Sequence, residues 1–126
     1  LQWVRDTLFP NERFEALLAE AERVPAGCDG LAFLPYLTGE RCPHPDASAR
    51  GGWVGLSRAH TRGQLVRAVL EGVVFTMGEI LDLFRGAGLT PASVRLSGGM
   101  NSSTLVRQMQ ADVYALPVEQ TTTVAE

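Results

Sequence analysis

The stretch VRLSGGMNSSTLVRQ (residues 94–108) sets a short strand-like run, Val94, Arg95 and Leu96, against a helix-like run, with Gly98 and Gly99 between them. A second short strand-like segment, LPVEQ at residues 116–120, follows the helix pattern. The order strand, turn, helix, strand predicts two parallel strands joined by a right-handed crossover. In open α/β sheets ligands sit beyond the carboxyl ends of the strands, where the next helix offers unpaired N–H groups and the positive end of its dipole. Gly98 and Gly99 fall at that place. Lacking Cβ atoms, they would let a phosphate, ribose or base approach the main chain, while Asn101, Ser102 and Ser103 supply hydrogen-bonding side chains. The same residues also spell an ordinary tight turn followed by a serine helix cap, and local sequence leaves both readings open. The stretch is neither a G-x-G-x-x-G nor a Walker sequence.

Outward from this unit the chain alternates helical and strand-like patterns. Leu65, Val66, Val69, Leu70, Val73, Val74, Met77, Ile80, Leu81 and Phe84 form a broad apolar stripe, preceded by Thr61 and Gln64 at capping-box spacing. A buried helix of roughly six turns is expected there. Gly72 and Gly78 each cost that helix about 1 kcal/mol relative to alanine, so close packing of another segment is the expected reason for them. Phe14, Leu17 and Leu18 predict an amphipathic helix over residues 11–21, stopped by Pro25 and Gly27. LAFLPY (31–36) reads as a short strand covered on both faces, with Pro35 at its end. Residues 38–52, TGERCPHPDASARGG, are too rich in Pro, Gly and Asp for regular structure and form a long loop.

Composition limits the function classes. With 126 residues, 45% of them hydrophobic, and a mean hydropathy of +0.03, the chain holds one domain's worth of core material. A net charge of −3 gives no basic field, and Arg41, Arg50, Arg58 and Arg62 are not interleaved with aromatics, so nucleic acid is not an expected partner. No run approaches the roughly 20 apolar residues of a membrane span, and LQWVRD is not a signal peptide, so a soluble, cytoplasmic protein is expected. Cys28 and Cys42 have neither zinc-knuckle nor redox spacing. Cys42, His44 and Asp46 alternate in a proline-rich loop without a second ligand pair, which favours a solvated loop over a metal site. His60 is read as ordering the helix start, Trp53 as a core anchor, and Glu71 as a buried carboxylate whose expected partner is the GERCPH loop. Glu40 and Arg41 either form a local ion pair or face a cleft.

A wider pattern joins these segments. GLAFLPYLTGERCPHPDASARGGWVGLSRAHTRGQLVRAVLEGVVFTM (30–77) resembles the second half of FGGY-family carbohydrate kinases, with Gly51, Trp53, Gly55, Leu56, Gln64, Leu65, Ala68, Val69, Leu70 and Glu71 matching the C-terminal signature of that family in composition and spacing. Within the family LPYLTGERCPHPD is similar to the loop of xylulokinases, with Cys42 in place of the usual threonine. LSGGMNSSTLVRQMQADVYALPVE resembles the segment that binds the adenosine part of ATP, and LQWVRD a short motif whose glutamine lies near the nucleotide phosphates.

The resemblance implies an α/β fold, part of an actin-like ATPase (ribonuclease H-like) domain. Residues 1–126 would be a partial nucleotide-binding domain, without the N-terminal sugar-binding domain, the opening strands and the final helix. It implies Gly98 and Gly99 as backbone contacts to the nucleotide, Asn101, Ser102 and Ser103 beside adenine or ribose, and Gln2 on the phosphate side. The implied reaction is ATP- and Mg²⁺-dependent phosphorylation of D-xylulose to D-xylulose 5-phosphate, with an aspartate as general base. None of Asp6, Asp29, Asp46, Asp82 and Asp112 has a spacing that marks it as that base, so no catalytic residue is assigned and the chain alone is expected to be inactive. Gluconate, ribulose or glycerol as substrate, a non-enzymatic nucleotide-binding module, and self-association into a homodimer stay open.

Overall fold

The computed structural model describes residues 1–121, with Met100 and Asn101 described for the backbone alone. The chain divides within one long helix into two compact units, Leu1–Val73 and Val74–Glu126.

In the first unit, helices α1 (Gln2–Leu8) and α2 (Phe14–Glu22) precede strands β1 (Ala32–Leu34) and β2 (Gly52–Val54). The short α1 is not apparent from periodicity, and α2 starts and ends later than the 11–21 pattern predicts, closing at Arg23 before Pro25. The strands pair antiparallel, Ala32 with Val54 and Leu34 with Gly52. Only the middle residue of β1, Phe33, is buried, so β1 is covered on one face where coverage of both was expected. Phe33 packs against Trp53 with ring centroids 4.9 Å apart, and the indole N–H donates to the Leu65 carbonyl at 3.1 Å. Trp53 thus anchors β2 to the start of α3 (Arg62–Gly86). Val4, Cys28, Leu31, Phe33, Ala68 and Val69 form the buried cluster beneath, each large apolar side chain contributing about 1.5–3 kcal/mol on burial.

The capping box that opens α3 forms as expected: the Thr61 N–H donates to Gln64 Oε1 at 2.8 Å and the Gln64 N–H to Thr61 Oγ1 at 3.4 Å. Gly72 is where α3 meets β1, since a Cβ there would lie 2.3 Å from the Phe33 carbonyl oxygen. The apolar stripe splits along its length. Val66, Val69, Leu70 and Val74 are buried, whereas Val73, Met77 and Phe84 are exposed. The 3.6-residue period continues through both halves, so periodicity alone does not reveal which half is covered.

In the second unit, β3 (Val94–Leu96) and β4 (Val118–Gln120) pair parallel, Val94 with Val118 and Leu96 with Gln120, with α4 (Thr104–Tyr114) as the crossover. The expected strand-turn-helix-strand unit is present. Helix α4 buries Val106, Met109, Gln110 and Tyr114. Gly78 admits α4 closely, its missing Cβ lying 3.1 Å from Val113 Cγ1. Arg85 donates to the Tyr114 carbonyl at 2.7 Å, satisfying an end group that the helix leaves open.

Candidate functional site

Between β3 and α4 the backbone reverses through Gly98, whose φ of +102° lies in a region that side-chain-bearing residues rarely adopt. Gly99 opens a short 3₁₀ turn, Gly99–Ser102, before α4 begins. Among the described residues, and apart from its chain neighbours, a Cβ placed on Gly99 would meet no atom within 4 Å. The two glycines therefore have different reasons: Gly98 answers to backbone geometry, and Gly99 leaves room.

The serines work locally. Ser103 is the N-cap of α4, its Oγ accepting the Val106 N–H at 3.4 Å. Ser102 Oγ donates to the Gly99 carbonyl at 2.7 Å, closing the 3₁₀ turn on itself. The side chain of Asn101 lies outside the described residues. Gly98, Gly99, Asn101, Ser102 and Ser103 are brought together as one turn at the carboxyl end of β3, preceding the positive end of the α4 dipole. Gln2, exposed at the first position of α1, belongs to the first unit.

Three residues around this turn, Arg107, Gln120 and Thr121, were not singled out from sequence. Arg107, one turn into α4, donates through Nη1 to Gln120 Oε1 at 2.6 Å and to the Ser102 carbonyl at 3.5 Å, and through Nη2 to Thr104 Oγ1 at 3.5 Å. Gln120 is the last residue of β4. Beyond it, the Thr121 N–H donates to the Leu96 carbonyl at 3.0 Å, and the Thr121 hydroxyl donates to the same oxygen. The available signal was an arginine four residues past a serine cap, which identifies a helix face but not a partner 13 residues away.

The other conspicuous residues have structural partners. Glu71 is buried, but not against the GERCPH loop as expected. Its Oε1 accepts the Gly27 N–H and Arg67 Nε, each at 3.0 Å, and its Oε2 faces the Cys28 thiol at 3.6 Å. Position 71 lies one helical turn past Arg67, so the carboxylate finds its cation on its own helix. Burial first, and the nearby Glu71 charge second, push the Cys28 thiol up to about 12. His60 closes the turn that precedes α3: its Nδ1 accepts the Ser57 N–H at 2.9 Å, leaving the proton on Nε2, 3.4 Å from the Asp29 carbonyl.

In the 38–52 loop, Glu40 Oε1 accepts the N–H groups of Arg41 and Cys42 at 2.8 and 3.3 Å, so this carboxylate organises its own backbone. Asp46 accepts both the N–H and the hydroxyl of Ser48, which hold its carboxyl below the usual range. No group of three or more His, Cys, Asp or Glu among the described residues has the arrangement of a metal site. No described helix is long and apolar enough to cross a membrane.

Comparison with known proteins places the chain in a family. The C-terminal domain of the FGGY family of carbohydrate kinases matches residues 1–126. The chain belongs to the FGGY family. It is 44% identical over 114 residues to the xylulose kinase of Bacillus subtilis (strain 168), covering 90% of this chain and 23% of that protein. Among solved structures, a ligand-bound xylulose kinase from Lactobacillus acidophilus superposes with a TM-score of 0.90 at 38% identity, over 97% of this chain and 25% of that one. A gluconate kinase from the same species superposes at 0.88, also at 38% identity and with the same coverage. The α/β fold is that of the actin-like ATPase class to which these sugar kinases belong. The chain spans about a quarter of the length of these relatives.

Proposed function

We propose that this chain is the nucleotide side of an ATP-dependent sugar kinase whose acceptor is D-xylulose, giving D-xylulose 5-phosphate. The observation that carries the proposal is the Gly98–Gly99 turn: a glycine-requiring φ followed by an unobstructed main chain, at the carboxyl end of a parallel strand, in a chain of the FGGY family. In this reading Gly98 and Gly99 let the nucleoside end of ATP lie against the backbone, and Asn101, Ser102 and Ser103 border adenine or ribose. Since the Ser102 and Ser103 hydroxyls already hold the turn and cap α4, their part is to keep the backbone in place. Gln2 enters through the resemblance of LQWVRD, as a contact on the phosphate side.

ATP supplies the γ-phosphoryl group for transfer to a sugar hydroxyl. Mg²⁺ accompanies the nucleotide, and no residue of this chain is assigned to it, because the described carboxylates form no cation set. No general base is assigned here either. The complete protein is proposed to be cytoplasmic and to bind its sugar through residues outside this chain. D-Xylulose is preferred as substrate because xylulose kinases stand among both the similar sequences and the similar structures. The gluconate kinase superposes almost as well, so this part of the fold does not choose the sugar.

The test uses the complete protein that contains this chain, assayed by coupled ADP release with D-xylulose, D-ribulose, gluconate and glycerol. The highest kcat/KM is expected with D-xylulose, and a clear preference for another sugar would replace it. In the same protein Gly99→Val should raise the KM for ATP at least tenfold and leave the KM for sugar unchanged, since a β-branched side chain would occupy the open space. Unchanged ATP kinetics would remove the turn from the nucleotide site.

A further inference from the structure

We infer that Arg107 is a positioning residue for nucleotide binding, one that fixes the Gly98–Ser102 turn against the end of β4. The inference rests on the proposed reading of that turn as the nucleotide site. Ser102 bonds back to Gly99 and Ser103 bonds forward to Val106, so these hydroxyls tie the turn to itself and to α4. Arg107 carries the tie across the unit. One nitrogen, Nη1, is shared between the carbonyl of Ser102, the last residue of the turn, and the side-chain oxygen of Gln120, the last residue of β4; Nη2 reaches Thr104 in the first turn of α4.

The planar guanidinium suits this work. It presents several N–H donors in a fixed fork, so one side chain can hold acceptors from three elements at set angles. The contact to Gln120, at 2.6 Å, has the charged guanidinium as donor. The end of β4 is itself held to β3 by Thr121, which donates twice to the Leu96 carbonyl. Arg107 therefore refers the glycine turn to a strand end that is already fixed. In an α/β unit of this kind the ligand lies beyond those strand ends, so the distance from turn to β4 sets the space it enters.

Loss of the fork should let the turn populate displaced positions. Apparent nucleotide affinity then falls by the fraction of molecules in the competent position, while the chemical step of correctly bound molecules is unaffected. In the complete kinase, Arg107→Met is expected to raise the KM for ATP about tenfold. Its kcat should stay within about twofold and its sugar KM should not change. ADP titration by calorimetry should show the same loss. Arg107→Lys, with a point charge but no fork, should fall between Met and the parent.

Gln120→Leu approaches the same link from the other end and serves if Arg107→Met does not fold. It should raise the KM for ATP comparably, and the double variant should be no worse than the more affected single one. A merely structural arginine would lower the melting temperature and leave the ATP KM of both single variants within twofold of the parent, and that result overturns the inference. Gly99→Val run in parallel separates two failures. If it raises the ATP KM while Arg107→Met and Gln120→Leu do not, Arg107 has no positioning role and the nucleotide reading stands. If Gly99→Val also leaves ATP kinetics unchanged, the nucleotide reading falls and the inference falls with it.

Discussion

Two of the turns built on left-handed backbone, one in each compact unit, are held in different ways. At residues 27–30, Gly27, Cys28, Asp29 and Gly30 all have positive φ, from +50° to +91°. Two of these are not glycine, a conformation that costs on the order of 1–3 kcal/mol per residue unless the surroundings hold it. Here they do. Glu71 accepts the Gly27 N–H and faces the Cys28 thiol, Gln64 donates to the Asp29 carboxylate at 2.9 Å, and His60 Nε2 lies 3.4 Å from the Asp29 carbonyl. At the second turn Gly98 takes φ +102°, and beside it the Cβ position of Gly99 has no described atom beyond its chain neighbours within 4 Å. The first turn is tied by the protein's own buried carboxylate, although Gly27 and Gly30 also have no described atom within 4 Å of their Cβ positions, and the second is tied from its ends by serines and Arg107. The first tie runs to a buried carboxylate on α3; the second lies at a parallel strand end, where the proposed function puts the nucleotide.

The largest expected contrast is chemical and tests whether the first turn is closed. Cys28 is buried with its pKa near 12, whereas Cys42 is exposed. At pH 8 the thiolate population of Cys28 should be about a thousandfold below that of an ordinary thiol, so iodoacetamide should label Cys42 alone until the chain is denatured. Similar labelling rates for both cysteines in the native protein would break the contrast. The sign of the pH effect follows from the raised value. The stabilising contribution of the protonated thiol is complete below its unfolded pKa near 9 and is lost as pH rises through its folded value near 12. Cys28→Ser should remove that part of the alkaline loss of stability.

Next in size is Glu71. Glu71→Ala would leave Arg67, whose side chain is 12% exposed, without its carboxylate and the Gly27 N–H without an acceptor. The expected cost is about 3–5 kcal/mol, read from urea denaturation. Glu71→Gln keeps the shape and an acceptor and should cost less. A loss below about 1 kcal/mol for Glu71→Ala would mean that the carboxylate does not hold the first turn.

The contrast also explains what the residues revealed in advance. The open turn was legible because Gly98-Gly99, flanked by a strand pattern and a helix pattern, is a local signal: everything that makes it recognisable lies within about 15 residues. The capping box at Thr61 and Gln64 and the close approach at Gly72 were legible for the same reason. The closed turn was not. Cys28 and Asp29 carry no mark of left-handed backbone, and a buried Glu71 announces that it needs a partner without saying which, so the 38–52 loop was chosen where Arg67 and the 27–28 backbone serve. Strand β2 was missed because three residues, Gly52, Trp53 and Val54, are too few for alternation to register. Arg107 was missed because its main acceptor, Gln120, is brought near only by the parallel pairing of β3 and β4. Local geometry was readable; the long-range partners that finish it were not.

The smallest effects belong to the open turn itself, and they separate its two glycines. Gly98→Ala puts a side chain on a backbone at φ +102° and should destabilise by about 1–3 kcal/mol whatever space surrounds it. Gly99→Ala meets no described atom beyond its chain neighbours within 4 Å and has no positive φ to strain, so its stability should stay within about 0.5 kcal/mol of the parent. Alanine at 99 also removes backbone freedom from the unfolded chain, which works slightly in favour of the folded one. Paired urea titrations measure the difference. Equal losses at both positions would mean that the pair is one tight turn whose glycines answer to geometry alone, as the local sequence also allows. A loss at Gly98 with none at Gly99 leaves the second glycine without a folding reason, and its open space is then to be explained by what enters it.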